Sequence, residues 1–286
     1  MNSMVEQSAI CQSEQAHGLP CHRLTLPCGD QLLVAEQGAH VLSWVAQGRE
    51  QLYLSESNVW DGHSAIRGGV PVCFPQFNQR GDLPKHGFFR NLSWQWVQPE
   101  LQANAARLTL CLRDSEASRK FWPRAFEVFL HLDLAPGRLQ LSLDVRNTDA
   151  QDWHFTGALH TYLAVDAIAK VQLTGLHLQP EWDAVADRHG QAASHLQINA
   201  EFDRVYAASA TPLLLEDAAH QLQITQSASW ANTVVWNPGQ AKCATLTDMI
   251  PQDFERMLCV EAAQVFEPVV VPAGQSWLGW QRLQVL

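Results

Sequence analysis

FEVFLHLDLAPGRLQLSLDVR, residues 126–146, alternates in character with a period of two on both sides of a turn. Phe126, Val128, Leu130, Leu132 and Leu134 fall on one face of the first half, and Leu139, Leu141, Leu143 and Val145 on one face of the second. Successive side chains of a strand point to opposite faces, so each row is what a half-buried strand offers to a core. Ala135-Pro136-Gly137 between them carries turn chemistry, and the whole stretch predicts a hairpin.

Working outward, the same short alternating segments recur at QLLVAE (31–36), HVLSWVA (40–46), RLTLCLR (107–113), HQLQITQ (220–226), NTVVWN (232–237) and WLGWQRLQVL (277–286). Gly, Pro, Asn and Asp separate them, and the one helix-like stretch is PQDFERML (251–258). Many short strands and almost no helical period predict an all-β sandwich or barrel. No repeat, low-complexity tract or linker interrupts the chain. The expected organisation is one domain over residues 21–286, preceded by a loose polar leader over residues 1–20.

The totals narrow the function. A chain of 286 residues can bury one large core. Its net charge of -10 and pI near 5.6 argue against a nucleic-acid partner, which calls for clustered Lys and Arg. MNSMVEQSAICQSEQAHG lacks the basic start and apolar run of a secretory signal, and no stretch reaches the roughly 20 apolar residues that span a bilayer. A cytoplasmic monomer with no membrane partner is the expectation. Seven cysteines are spread without a Cys-x-x-Cys pair, which suits reduced thiols and predicts no disulfide frame and no metal.

Three segments place ionisable residues among apolar ones. IRGGVPVCFPQF (66–77) running on to LPKHGFFRN (83–91) reads as a rigid irregular loop; Arg67 and Arg90 either hold a ligand or pair with carboxylates there. In GALHTYLAV (157–165), read as a strand, Ala158, His160, Tyr162 and Ala164 share a face, where His160 is either a satisfied core residue or a catalyst. In MLCVEAAQV (257–265), Cys259, Glu261 and Ala263 share a face. A carboxylate in so apolar a strand is costly to bury unless it is paired or faces a cleft, which makes Glu261 the most informative residue of the chain. EFDRVY (201–206) sets Asp203 beside Arg204, and an edge ion pair would explain it. The chain has no nucleotide-binding glycine loop and no Gly-x-Ser-x-Gly elbow. Eleven tryptophans with a few polar groups suit recognition of a small molecule, although Trp94 and Trp96 of HGFFRNLSWQW (86–96) are expected to sit behind or beside such a site.

IRGGVPVCFPQF, LPKHGFFRN, ALHTYLAV, EFDRVY, VVWNPG and DFERMLCVEAA, in that order over residues 66–263, resemble the hexose-6-phosphate mutarotases (glucose-6-phosphate 1-epimerases), a branch of the aldose 1-epimerase superfamily. The resemblance implies a galactose-mutarotase-like β-sandwich (supersandwich) without metal or organic cofactor. It also implies that His160 and Glu261 are the catalytic pair, that Arg67 and Arg90 receive the phosphate, that Asp203 binds substrate and that His86 lies nearby. Lys85 stands where the family carries glutamine and could add a charge for phosphate.

The implied reaction interconverts the α and β anomers of a hexose 6-phosphate, D-glucose 6-phosphate first among them, by opening and reclosing the ring. One group takes the proton of the anomeric hydroxyl and another gives one to the ring oxygen. The expectation assigns Glu261 as base and protonated His160 as acid, acting from opposite sides, with Asp203 holding the histidine proton. The alternatives are a mutarotase of unphosphorylated aldoses, with both arginines structural, and a non-catalytic sugar-phosphate-binding or regulatory protein.

Overall fold

The computed structural model describes residues 8–218 and 220–286. Phe126–Ala135 and Arg138–Asn147 form the expected hairpin, with Leu139 opposite Leu134, Leu141 opposite Leu132, Leu143 opposite Leu130 and Val145 opposite Val128. All eight side chains are buried, so the two rows make one continuous apolar face. Around this hairpin grows an antiparallel sheet, here the backing sheet. Its strands run in the order Gln172–Thr174, Leu213–Asp217, His220–Gln226, Ser276–Val285, Arg138–Asn147, Phe126–Ala135, Ala106–Arg113 and Gln95–Leu101.

A second large sheet, the site sheet, runs Arg188–Gln191, Pro180–Asp183, Phe202–Ala207, Asn232–Asn237, Met257–Val271, Trp153–Leu159 and Val72–Cys73, with Tyr162–Ala164 also paired to Met257–Val271. One core joins the two sheets: Leu130, Leu132, Leu141 and Leu143 of the backing sheet cluster with Phe155, Leu159, Leu258, Val260 and Val235 of the site sheet. Burying a row of such side chains contributes about 1.5–3 kcal/mol each before entropy is counted. Because alternate residues of Met257–Val271 face this core, the others, Cys259, Glu261 and Ala263, face away from it.

A third, five-stranded sheet joins Ile10–Ala16, Leu19–Thr25, Gln31–Ala35, His40–Ala46 and Arg49–Glu50. It corrects the expected leader: residues 10–16 pair along their full length with Leu19–Thr25. That strand buries little and is held by its ladder and by polar cross-strand contacts, Arg23 to Glu14 at 2.8–2.9 Å and Ser13 to His22 at 3.2 Å, so it lacks an alternating apolar row. The turn is made by His17 and Gly18, both in the left-handed region (φ 54° and 79°), as a two-residue hairpin requires. Residues 1–7 of the expected leader lie outside the described residues.

The helix expected over 251–258 is also corrected. Only Asp253–Arg256 forms a 3₁₀ turn, because Met257 is already in the long strand, paired with Ala164. Short helices form instead at Glu116–Phe121, where Ser115 and Ser118 close a capping box, and at Gly239–Cys243. Among the described residues no helix is long and apolar enough to cross a membrane.

Candidate active site

The outward face of the site sheet carries the ionisable residues. Glu261 lies opposite Val234 in the register, Cys259 opposite Trp236, and Trp236 opposite Asp203, so these side chains emerge on one face of three adjacent strands. His160 joins them from a break between Trp153–Leu159 and Tyr162–Ala164. Its own N–H leaves the ladder and donates to the carbonyl of Pro71 at 3.1 Å, which ties the histidine to the Arg-Gly-Gly loop.

That loop is shaped by its glycines. Gly68 and Gly69 have φ of 105° and 59°, and a Cβ on Gly69 would lie 2.1 Å from the carbonyl oxygen of Val41. Only glycine lets the chain pass so close to the neighbouring strand. The passage delivers Arg67 to the site, where its Nε lies 3.0 Å from Asp248 and its Nη1 donates to the Tyr162 hydroxyl at 3.0 Å. The Arg67 guanidinium also lies over the Trp236 ring, 5.9 Å from its centroid.

At the floor, His160 Nε2 and Glu261 Oε1 are 3.3 Å apart, and the side chains are 9% and 1% exposed. The His160 ring is stacked on Tyr162 with centroids 4.7 Å apart, and His86 meets it edge-on at 5.5 Å. His86 holds a left-handed backbone (φ 64°), and its Nδ1 accepts the Asn78 N–H at 3.3 Å. With Nδ1 engaged as an acceptor, the neutral ring carries its proton on Nε2. Behind the floor, Thr161 Oγ1 donates to Gln281 Oε1 at 2.5 Å, and Gln281 Nε2 donates to the carbonyl of Val260 at 3.0 Å. One buried glutamine of the backing sheet thus grips the residue after His160 and the residue before Glu261.

The rim is positive. Lys85 is exposed, and Arg90 donates from Nη2 to the Lys85 carbonyl at 2.9 Å while its buried Nε has no partner among the described residues. Lys242 is ion-paired with Glu201 beside Asp203. Lys242, Arg67 and Arg90 act together on Lys85, adding to partial burial in lowering its pKa. The same charges reach the floor. Burial first, then His86, Arg67 and Arg90, pushes His160 well below its ordinary 6.5. Burial and then the charge of Asp203 push Glu261 well above its ordinary 4.5. His86 falls to about 2, for burial and for its neighbours Arg90, Lys85 and Arg67.

These observations bring together all seven residues singled out in the sequence: His160 and Glu261 at the floor, His86 and Arg67 against it, and Arg90, Lys85 and Asp203 towards the rim. They also correct the expectation in four respects. His160 and Glu261 sit side by side instead of facing each other across an empty ring site. Burial favours the uncharged form of each, which works against the expected carboxylate and imidazolium. Asp203 acts on Glu261 and does not hold the histidine proton. Arg204 pairs with Asp183 and Glu181, on the opposite face from Asp203, so no ion pair joins residues 203 and 204. Trp94 is buried in the core, donating to the Phe89 carbonyl, and Trp96 stacks on His22.

Sequence reasoning missed Tyr162, Trp236, Lys242 and Asp248. Tyr162 shares the face of His160 at i+2 and Trp236 falls in VVWNPG, so both were within reach of the strand period. Asp248 stands in irregular chain and Lys242 in a helix of five residues, too short for a period to report a direction.

A family model described as aldose 1-epimerase matches residues 20–284. A protein of Cenchrus ciliaris provisionally named glucose-6-phosphate 1-epimerase is 34% identical over 254 residues, 85% of this chain and 77% of its own. An Escherichia coli protein of the same provisional name is 34% identical over 244 residues, 82% of this chain and 79% of its own. The crystal structure of a provisionally assigned mutarotase from Salmonella typhimurium superposes with a TM-score of 0.89 at 29% identity, over 96% of this chain and 93% of that one. A galactose mutarotase-like protein from Clostridium acetobutylicum, 12% identical with a TM-score of 0.74, shares the fold.

Proposed function

The chain belongs to the aldose 1-epimerase family, and from that premise we propose that it interconverts the α and β anomers of a hexose 6-phosphate, with D-glucose 6-phosphate as the leading substrate. The family makes it an isomerase; the choice of a phosphorylated sugar is the further step. The observation that carries it is a buried His160–Glu261 pair 3.3 Å apart, set beneath a rim of Arg90, Lys85 and Lys242. On a protein of net charge -10, such a local positive rim is complementary to a hexose phosphate dianion.

The pair shares one mobile proton, whether written as carboxylic acid with imidazole or as carboxylate with imidazolium. Its two microstates hold the same number of protons, so it titrates as a unit. In the uncharged form that burial favours, His160 takes the proton of the anomeric hydroxyl while Glu261 gives its own to the ring oxygen. The C1–O5 bond breaks, the C1 carbonyl forms, and the pair is left as imidazolium and carboxylate. Rotation about C1–C2 presents the other carbonyl face, and the same transfers in reverse close the ring. A phosphate on the rim offsets the charges of Arg90 and Lys85, which eases that charge separation.

One observation favours a mutarotase of unphosphorylated aldoses: Arg67 is already occupied by Asp248 and Tyr162. Anomeric exchange measured by NMR on glucose 6-phosphate and on glucose separates the two readings. Acceleration of the phosphate ester alone supports the proposal, and equal acceleration of both replaces it with the second reading.

A further inference from the structure

We propose that His160, Cys259 and Glu261 together form a binding site for one borderline-soft divalent cation, Zn²⁺ or Cd²⁺, and that its occupancy inhibits the protein. One ligand atom from each residue, an imidazole nitrogen, a thiol sulfur and a carboxylate oxygen, lies within 4.8 Å of the other two. All three residues are buried, and Glu261 Oε2 and His160 Nδ1 have no hydrogen-bond partner among the described residues. Cys259 and Glu261 project from the same face of one strand at i and i+2, and His160 comes from the chain beside it. The scaffold is therefore two side chains on one paired strand and a third from the break beside it.

A mixed nitrogen, sulfur and oxygen donor set suits zinc-like ions and not Mg²⁺ or Ca²⁺, which take oxygen ligands. Bonds of about 2.0 Å to nitrogen and oxygen in a tetrahedron set those ligands roughly 3.3 Å apart. His160 Nε2 and Glu261 Oε1 already stand at 3.3 Å. Sγ closes the remaining gap by rotating about Cα–Cβ, and two protons leave to solvent, one from the thiol and one from the Glu261 carboxyl, as thiolate and carboxylate form. Thiolate and carboxylate balance the dication, and Asp248 already neutralises Arg67 beside the floor. Three protein ligands leave one position for water. An ion there occupies both members of the proton-transfer pair, and the sugar ring is excluded. The inhibition rests on the proposed function, whereas the binding does not.

Co²⁺ is the probe, titrated into the full chain carrying Cys11→Ser and Cys28→Ser, which removes the two thiols with accessible surface. A near-ultraviolet thiolate-to-Co²⁺ charge-transfer band should appear, be displaced by Zn²⁺, and vanish with Cys259→Ala. In the exchange assay Zn²⁺ should inhibit, Mg²⁺ should not, and EDTA should restore the rate. Cys259→Ala, compared with its own metal-free rate, should lose at least about tenfold in Zn²⁺ sensitivity, because it has lost one of three ligands. If Cys259→Ala does not fold, Glu261→Gln replaces it in the titration, with Co²⁺ affinity expected to fall by a similar factor. Absence of the band in the folded chain, its persistence in folded Cys259→Ala, or an unchanged Co²⁺ affinity in folded Glu261→Gln overturns the proposal. A chain that shows the band yet has no epimerase activity overturns the functional reading and leaves the metal site standing.

Discussion

At the scale of single residues the site is a compromise between chemistry and burial. A free glutamate and histidine would give a carboxylate–imidazolium pair only between their ordinary values of 4.5 and 6.5, so activity would fall as pH rose past 6.5. Here His160 is pushed down and Glu261 up, so burial moves the shared proton of the pair towards Glu261. The acid limb of the kcat profile should therefore follow His160 and lie below 6.5, and the alkaline limb should follow Glu261 and lie above 4.5. Replacing Arg67 by Met removes a charge that depresses His160, so the acid limb should move upward. Glu261→Gln should lower kcat by about 10²- to 10⁴-fold, as for loss of a positioned proton donor. The same change should flatten the fall in stability with pH. The unfolded chain ionises Glu261 near 4.5 while the folded one keeps its proton to higher pH, so native stability declines from about 4.5 upward, and glutamine cannot contribute to that decline. Thermal unfolding of the two proteins at pH 5 and 8 checks the sign. His160 and Glu261 were legible because a charged residue in an apolar alternating segment needs a reason. Their protonation was not, since it depends on burial and on charges brought from distant segments.

At the scale of elements, strand pairing fixes the site more than any loop does. Gln281, fully buried in the Ser276–Val285 strand, reaches Thr161 and the Val260 carbonyl, and so holds His160 and Glu261 in register from behind. Gln281→Leu would leave both partners buried and unsatisfied, at about 1–3 kcal/mol each. Its kcat should fall more than its affinity for substrate, which a general loss of folded protein would not produce. The loop that carries His86 and Arg90 depends on Gly87, where φ is 69° and an added Cβ would lie 2.0 Å from the Phe74 carbonyl oxygen. Gly87→Ala should therefore destabilise the chain and displace His86, with a lower unfolding midpoint as the readout. Strands such as His40–Ala46 and Asn232–Asn237 were readable to the residue, because one face of each meets the core. Ile10–Ala16 was not, because cross-strand polar contacts hold it and leave no period. The 251–258 segment misled because a short polar run with apolar residues at helical spacing does not reveal that Met257 is committed to a ladder.

At the scale of the whole molecule, an acidic chain sets positive charge around the buried pair. Arg90, Lys85 and Lys242 define the rim, while the net charge is -10. Lys85→Gln should weaken apparent affinity for glucose 6-phosphate by severalfold with little change for glucose, and wild-type affinity should fall as ionic strength rises. Composition argued against a nucleic-acid surface but could not foretell this rim, since its members come from segments more than 150 residues apart. The fold class followed from periodicity; the meeting of three sheets, and the placement of the pair on the outward face of one, required the register. The central claim is that a buried His160–Glu261 pair moves the protons of sugar-ring opening. Its most direct test is anomeric exchange of glucose 6-phosphate by NMR with catalytic amounts of wild type, Glu261→Gln and His160→Asn. The account predicts acceleration by wild type and its loss in both variants while their folded signatures persist. Turnover within a few-fold of wild type in either folded variant would contradict it.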